Sequence, residues 1–180
     1  MSINVTRRGV LSATMGVSSG VVMASLMHTR PARAADLAKP QGKVILTLSG
    51  LIKETNGEGV AEFDIAMLEA LGLKSFTTTT PWYTGAVTFE GVRMAALLDR
   101  VGATGSMLTA RALNDYSTDI PVEDFRKYEV LLALKRDGAY MPVKDKGPLF
   151  IVYPYDSDPE LKHQRFYSRS AWQVARMVLK

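Results

Sequence analysis

Apolar positions come in short clusters, and each cluster's spacing predicts an element. Val44, Ile45, Leu46 and Leu48 crowd the stretch from Lys43 to Leu51, which ends at Ser49-Gly50 and predicts a strand. Asn56-Gly57 then marks a turn. Ile65, Leu68 and Leu71 share one helical face between a capping Asp64 and a stopping Gly72. In Phe76-Thr77-Thr78-Thr79-Thr80-Pro81-Trp82-Tyr83 the threonines favour extended chain, and Pro81 forces Thr80 out of helical space. Val87 to Gly91 predicts a brief bridge. Met94, Leu97, Leu98 and Val101 recur at i, i+3, i+4 and i+7, an amphipathic helix closed by Gly102.

The second half follows the same style. Ala112 to Pro121 predicts a turn between buried elements, because Asn114 and Asp115 close turns on their own backbone. Pro121 to Lys127 suits a short helix with Glu123 and Asp124 in its first turn. Glu129 to Leu134 and Leu149 to Tyr153 predict strands, and Arg136-Asp137-Gly138 a turn. Pro159 opens a helix to about Arg165, capped by Asp158. From Ala171 to Leu179 the alternation of Trp172, Val174 and Val178 fits a strand, while nothing forbids a helix. With no repeat or linker, the sum is one mixed α/β domain (α+β) with a mixed sheet and short helices.

The first 34 residues stand apart from this domain. Arg7-Arg8 precede a weakly apolar run from Val10 to Met27, which leads to a small-x-small site at Ala32-Arg33-Ala34. That is the layout of an export signal, and the paired arginines point to the twin-arginine route, with a periplasmic destination. A general-secretion signal or a retained anchor is the alternative; Gly16, Ser18, Ser19 and Gly20 make the run a poor membrane span. The expected division is 1–34 signal and 35–180 domain.

Removing the leader changes the charge. The 22 Lys+Arg less Arg7, Arg8, Arg30 and Arg33 leaves 18, against 18 Asp+Glu. A mature chain of zero net charge gives no basis for a nucleic-acid partner. Cysteine is absent, and the only histidine after the leader is His163. A thiolate–imidazole metal site or a Ser-His-Asp or Cys-His nucleophile lacks its parts. Asp115, Asp119, Glu123 and Asp124 fit either a cation or acid–base site or a solvated turn and helix start. Asp156-Ser157-Asp158 fits helix capping better than a calcium loop. Trp82 and Tyr83 fit a ligand cleft or ordinary core packing.

Several motifs, taken in order, resemble the molybdopterin-binding domain of the sulfite oxidase family, over roughly Val44 to Leu179. They are Phe89-Glu90-Gly91-Val92 with Leu97-Leu98, Tyr116-Ser117-x-x-Ile120-Pro121-Val122-Glu123-Asp124, and Leu132-Ala133 with Asp137-Gly138. Gly147-Pro148-Leu149, Val152-Tyr153-Pro154 and Arg169-Ser170 complete the set. The resemblance implies the fold and an oxidoreductase whose pterin cofactor carries the chemistry. It also implies that Arg169 and Ser170 hold the pterin phosphate, with Trp82, Asn114, Asp115 and Tyr116 lining the cleft.

Two positions depart from the family's pattern. The molybdenum-ligating cysteine falls near Thr78, whose neutral hydroxyl is a poor substitute for a soft thiolate. The lysine that accompanies the phosphate-binding arginine is Trp172, with Gln173 after it. The departures favour an alternative: a non-catalytic periplasmic module that binds a small anionic ligand or a protein partner. An inherited cofactor site would join Thr78, Asn114 and Arg169 in one pocket.

Overall fold

The computed structural model describes residues 37–180; the expected leader, 1–34, lies outside the described residues. The strands form two sheets, one of them mixed, as the expected mixed α+β class allows. The first has the order β2 (Ala61–Phe63), β1 (Leu46–Gly50), β10 (Val174–Leu179), β5 (Met107–Ala112) and β6 (Ser117–Pro121). Its β1 and β10 run parallel and its other pairs antiparallel. The second sheet is antiparallel throughout. It orders β3 (Leu73–Thr80), β4 (Tyr83–Arg93), β7 (Leu131–Arg136) and β8 (Ala139–Tyr140), with β9 (Phe150–Val152) also on β7.

Inward and outward residues alternate on the first sheet as period two requires. Leu46, Leu48, Leu108, Ala110, Met177 and Leu179 are buried, while Thr47, Ser49, Thr109 and Arg111 are not. Leu131 to Leu134 of β7 are buried on both faces and read as a continuous apolar run. One apolar cluster draws on both sheets and on the helices.

The short helices cap as their sequences suggest. Helix α1 (Ile65–Glu69) starts at Asp64, whose carboxylate accepts from the Met67 N–H at 2.8 Å. Helix α2 (Met94–Arg100) buries Met94, Leu97 and Leu98, the residues that its periodicity selects. Helix α3 (Val122–Lys127) carries Glu123 and Asp124 in its first turn and begins one residue after Pro121, which still pairs with Met107.

Two expectations need correction. The brief bridge at Val87 to Gly91 is part of the 11-residue β4, because the preceding turn at Pro81-Trp82 folds it back along β3. The single helix from Pro159 is two elements: a 3-10 turn, Pro159–Leu161, capped by Asp158, and α4 (Gln164–Arg169), capped by His163 Nδ1. Asp115 takes a left-handed conformation (φ 65°) in the tight turn between β5 and β6, a region that Asp and Asn tolerate better than most residues. The undecided tail is strand β10. Among the described residues, no helix is long and apolar enough to cross a membrane.

Candidate functional site

Three chain segments converge on one cavity of about 380 Å³. They are the β3–β4 turn (Pro81, Trp82), the β5–β6 turn (Asn114, Tyr116), and α4 with the segment after it (Gln164, Tyr167, Ser168, Ser170, Trp172). Each wall has a local cause. Pro81 turns the chain so that Trp82 leaves the sheet. The Asn114 side chain accepts from the Tyr116 N–H at 3.2 Å and shapes its turn. Helix α4 places Gln164, Tyr167 and Ser168 at i, i+3 and i+4, one face of one short helix.

Trp82 is the centre of an aromatic cluster. Its ring lies edge-on to Phe150, Tyr155, Tyr167 and Trp172 at centroid separations of 5.4, 6.2, 6.1 and 5.6 Å. It therefore packs in the core and lines the cavity at once. Tyr83 packs against the core without lining the cavity: its ring lies tilted beside Phe89, with Arg136 and Lys146 over it. Tyr116 closes one side, its hydroxyl donating to the Ser168 carbonyl at 3.0 Å. Ser170 is buried, donates to the Phe166 carbonyl and shares a short hydrogen bond with the Tyr155 hydroxyl. Burial pushes the Tyr155 phenol well above its ordinary range, so it stays neutral. The exposed Asn114 Nδ2 group and Gln164 side-chain amide have no hydrogen-bond partner among the described residues.

The structure thus brings together Trp82, Asn114, Tyr116 and Ser170. It leaves out Asp115, whose side chain lies on the opposite flank of the turn beside Leu113, Ala175 and Arg176. Arg169 is also outside the lining. Its Nη1 donates to Asp124 Oδ2 at 2.8 Å, and the same oxygen accepts from the Tyr153 hydroxyl at 2.7 Å. Asp124 is buried, so its charge is met by a cation and a hydroxyl together, as a buried carboxylate requires. Burial, then the hydrogen bond to Asp124, push the Tyr153 phenol far up. Of the acidic residues at the β6–α3 boundary, Asp124 is the one with a structural role; Asp119 accepts from Thr109 on the open sheet face.

Thr78 is buried on β3 behind the cavity wall. Its Oγ1 donates to the Thr79 carbonyl and accepts from the Asp156 N–H at 3.1 Å. The pocket that would join Thr78, Asn114 and Arg169 is therefore present only around Asn114. Among the described residues no group of three His, Cys, Asp or Glu is placed to hold a metal ion.

Sequence reasoning missed Gln164, Tyr167, Ser168 and Trp172 as lining residues. The i, i+3, i+4 spacing of the first three is the available signal, hidden because Pro159 and Asp158 predict a helix that ends at about Arg165, before most of α4.

A two-sheet α+β domain with an aromatic-lined cavity is the class that these observations define. The family model for the oxidoreductase molybdopterin binding domain matches residues 55–156, more than half of the chain, and the chain belongs to that family, the molybdopterin-binding domain of the sulfite oxidase family. No curated protein matches it.

The cofactor that this family binds can be held against the residues present. The lining offers two indoles, two phenols, two amides and two serines, but no thiol, imidazole or cation. Such a set suits the flat, hydrogen-bonding ring system of a pterin by stacking and amide contacts. It lacks the soft thiolate that molybdenum takes and a cation for the phosphate, Arg169 being held by Asp124. The ring fits; the metal and phosphate do not.

Proposed function

We propose that this chain is an exported, non-catalytic binding module that holds a flat heteroaromatic ligand of the pterin class between Trp82, Tyr116 and Trp172. The observation that carries the reading is the cavity's lining: aromatic faces with two unpartnered amides and no charge. An unpaired amide in a partly closed site gains from a ligand that carries complementary donors and acceptors on a ring edge. The absence of a cation from the lining shifts the expected ligand from a small anion to an uncharged ring. The paired arginines and the small-x-small site of the leader support export to the periplasm, with residues 35–180 as the mature domain.

The family match favours a second reading, a molybdopterin-dependent oxidoreductase. The two readings separate on content and binding. The protein, exported in a molybdopterin-producing bacterium and purified, is assayed for molybdenum and released pterin, then titrated with 6-hydroxymethylpterin by ligand fluorescence. Expected are substoichiometric molybdenum, saturable binding, and at least a roughly tenfold loss of affinity in Trp82→Ala, the order of a lost stacking contact with its pocket. Stoichiometric molybdenum establishes the oxidoreductase instead. No saturable binding, or Trp82→Ala binding as the parent does, removes the cavity reading.

A further inference from the structure

The outer face of the first sheet carries a charge arrangement that folding alone does not explain. Arg176 of β10 and Arg111 of β5 stand directly opposite each other across the strands, flanked in the same row by Thr47 and Ser117. Like charges in register on one face are destabilising. Both are exposed, and neither has an acidic partner, a hydrogen bond or a ring contact among the described residues. Of the acids on or beside this face, Asp119 is taken by Thr109 and Lys180, Glu62 follows Thr47 in the same row, and Asp115 borders a cleft with Arg176; none forms an ion pair with either arginine among the described residues.

Beside Arg176 the face opens into a groove whose floor is apolar. Val44, Leu113, Val143, Pro148 and Ala175 line it, with Lys43 at its rim. Leu113 and Val143, on a short turn and a 3-10 turn, are 55% and 51% exposed. Gln173 ties the two turns that carry these residues together. The Leu113 N–H donates to the Gln173 carbonyl at 2.9 Å, and Gln173 Nε2 donates to the Val143 carbonyl at 2.7 Å. An apolar strip beside unpaired arginines is the composition of a protein-binding face, where guanidinium groups meet carboxylates bidentately while aliphatic residues lose water.

We propose that this face docks a partner polypeptide through a segment that alternates carboxylates with aliphatic side chains, its carboxylates on Arg111 and Arg176 and its apolar residues on Leu113 and Val143. Charge complementarity chooses this occupant: the two unpaired guanidinium groups and Lys43 repel a second copy of the same patch and a basic segment alike. The face is separate from the ligand cavity, so the proposal stands or falls independently of the pterin reading.

The test uses a fluorescein-labelled peptide of alternating Glu and Leu, its Lys–Leu counterpart, and the purified full mature chain. Fluorescence anisotropy is expected to show binding of the Glu–Leu peptide that weakens with added salt, at least a tenfold loss in Arg111→Glu/Arg176→Glu, and a similar loss in Leu113→Asp. The Lys–Leu peptide should not bind the parent. Amide shifts in NMR spectra should move at Arg111, Leu113 and Arg176. Circular dichroism and the urea midpoint of each variant separate a lost face from a lost fold. Equal binding by parent and charge-reversed chains, shifts confined to other faces, or no binding by the parent at low salt overturns the proposal. So does sedimentation showing a dimer that Leu113→Asp dissolves, which would assign the face to self-association.

Discussion

Asp124 shows how one residue decides what another is free to do. Its carboxylate accepts from both Arg169 and Tyr153 in a largely dry environment. Removing it leaves a guanidinium and a phenol without their acceptor, and breaking such a pair costs about 3 kcal/mol. Asp124→Ala should therefore lower the urea midpoint strongly, whereas Tyr153→Phe, which removes one donor and leaves the ion pair, should cost about 1 kcal/mol. Arg169→Ala should destabilise the chain and leave 6-hydroxymethylpterin affinity unchanged, because the side chain does not line the cavity. A large loss of affinity without a loss of stability would return Arg169 to the ligand. This residue pair also marks how far the site was legible. Trp82, Asn114, Tyr116 and Ser170 announce themselves by motif position and are found together. Arg169 has the right type and position but a partner 45 residues away in sequence, and no local pattern signals that pairing.

Element boundaries follow the same division between local and distant causes. Helix α2 was readable because its apolar spacing and its closing glycine are local. The extent of β4 was not, because pairing with β3 and β7 sets it. The division of strands between two sheets is likewise a matter of which edges meet. Gly91 carries the distant cause in its own chemistry: a Cβ there would lie 2.1 Å from the Leu132 carbonyl oxygen, so the close approach of β4 to β7 demands glycine. Helix α1 is the opposite case, with its cap written in the sequence. Asp64 accepts from Met67 within the helix and also from the N–H groups of Gln41 and Gly42 at 2.9 and 2.7 Å, tying the approach to β1 to the helix. Asp64→Ala should cost about 2 kcal/mol, the upper end for a cap, because more than the cap is lost. Chemical denaturation measures it; hydrogen exchange should show the added opening at residues 41–42 and 65–69.

At the scale of the whole molecule, Asp156 joins chain segments that lie far apart in sequence. Its carboxylate accepts from the Thr79 N–H at 2.6 Å and the Thr79 hydroxyl at 2.7 Å, 77 residues away, and meets Lys162 at 2.6 Å. Its own N–H donates to buried Thr78, so the second sheet's first strand is clasped to the loop after β9 immediately behind the aromatic wall. The hydrogen bond from Lys162, then those from Thr79, hold the Asp156 carboxyl well below the usual carboxylate range. A carboxyl whose pKa falls on folding binds fewer protons in the folded state, so it stabilises that state above the ordinary carboxylate pKa of about 3.9. As pH drops below that value the contribution declines, and it is gone once the folded carboxyl is protonated. Asp64, also held low by backbone N–H groups, acts with the same sign. Asp156→Asn should therefore be less stable than the parent at pH 7, and the two urea midpoints should converge as pH falls from 5 towards 2. The variant should keep a weaker acid dependence from Asp64. A gap that stays constant across that range would show that the clasp works through shape and neutral hydrogen bonds alone. Convergence together with weaker 6-hydroxymethylpterin binding in the variant at pH 7 would show that the clasp also holds the wall on which Trp82 stands.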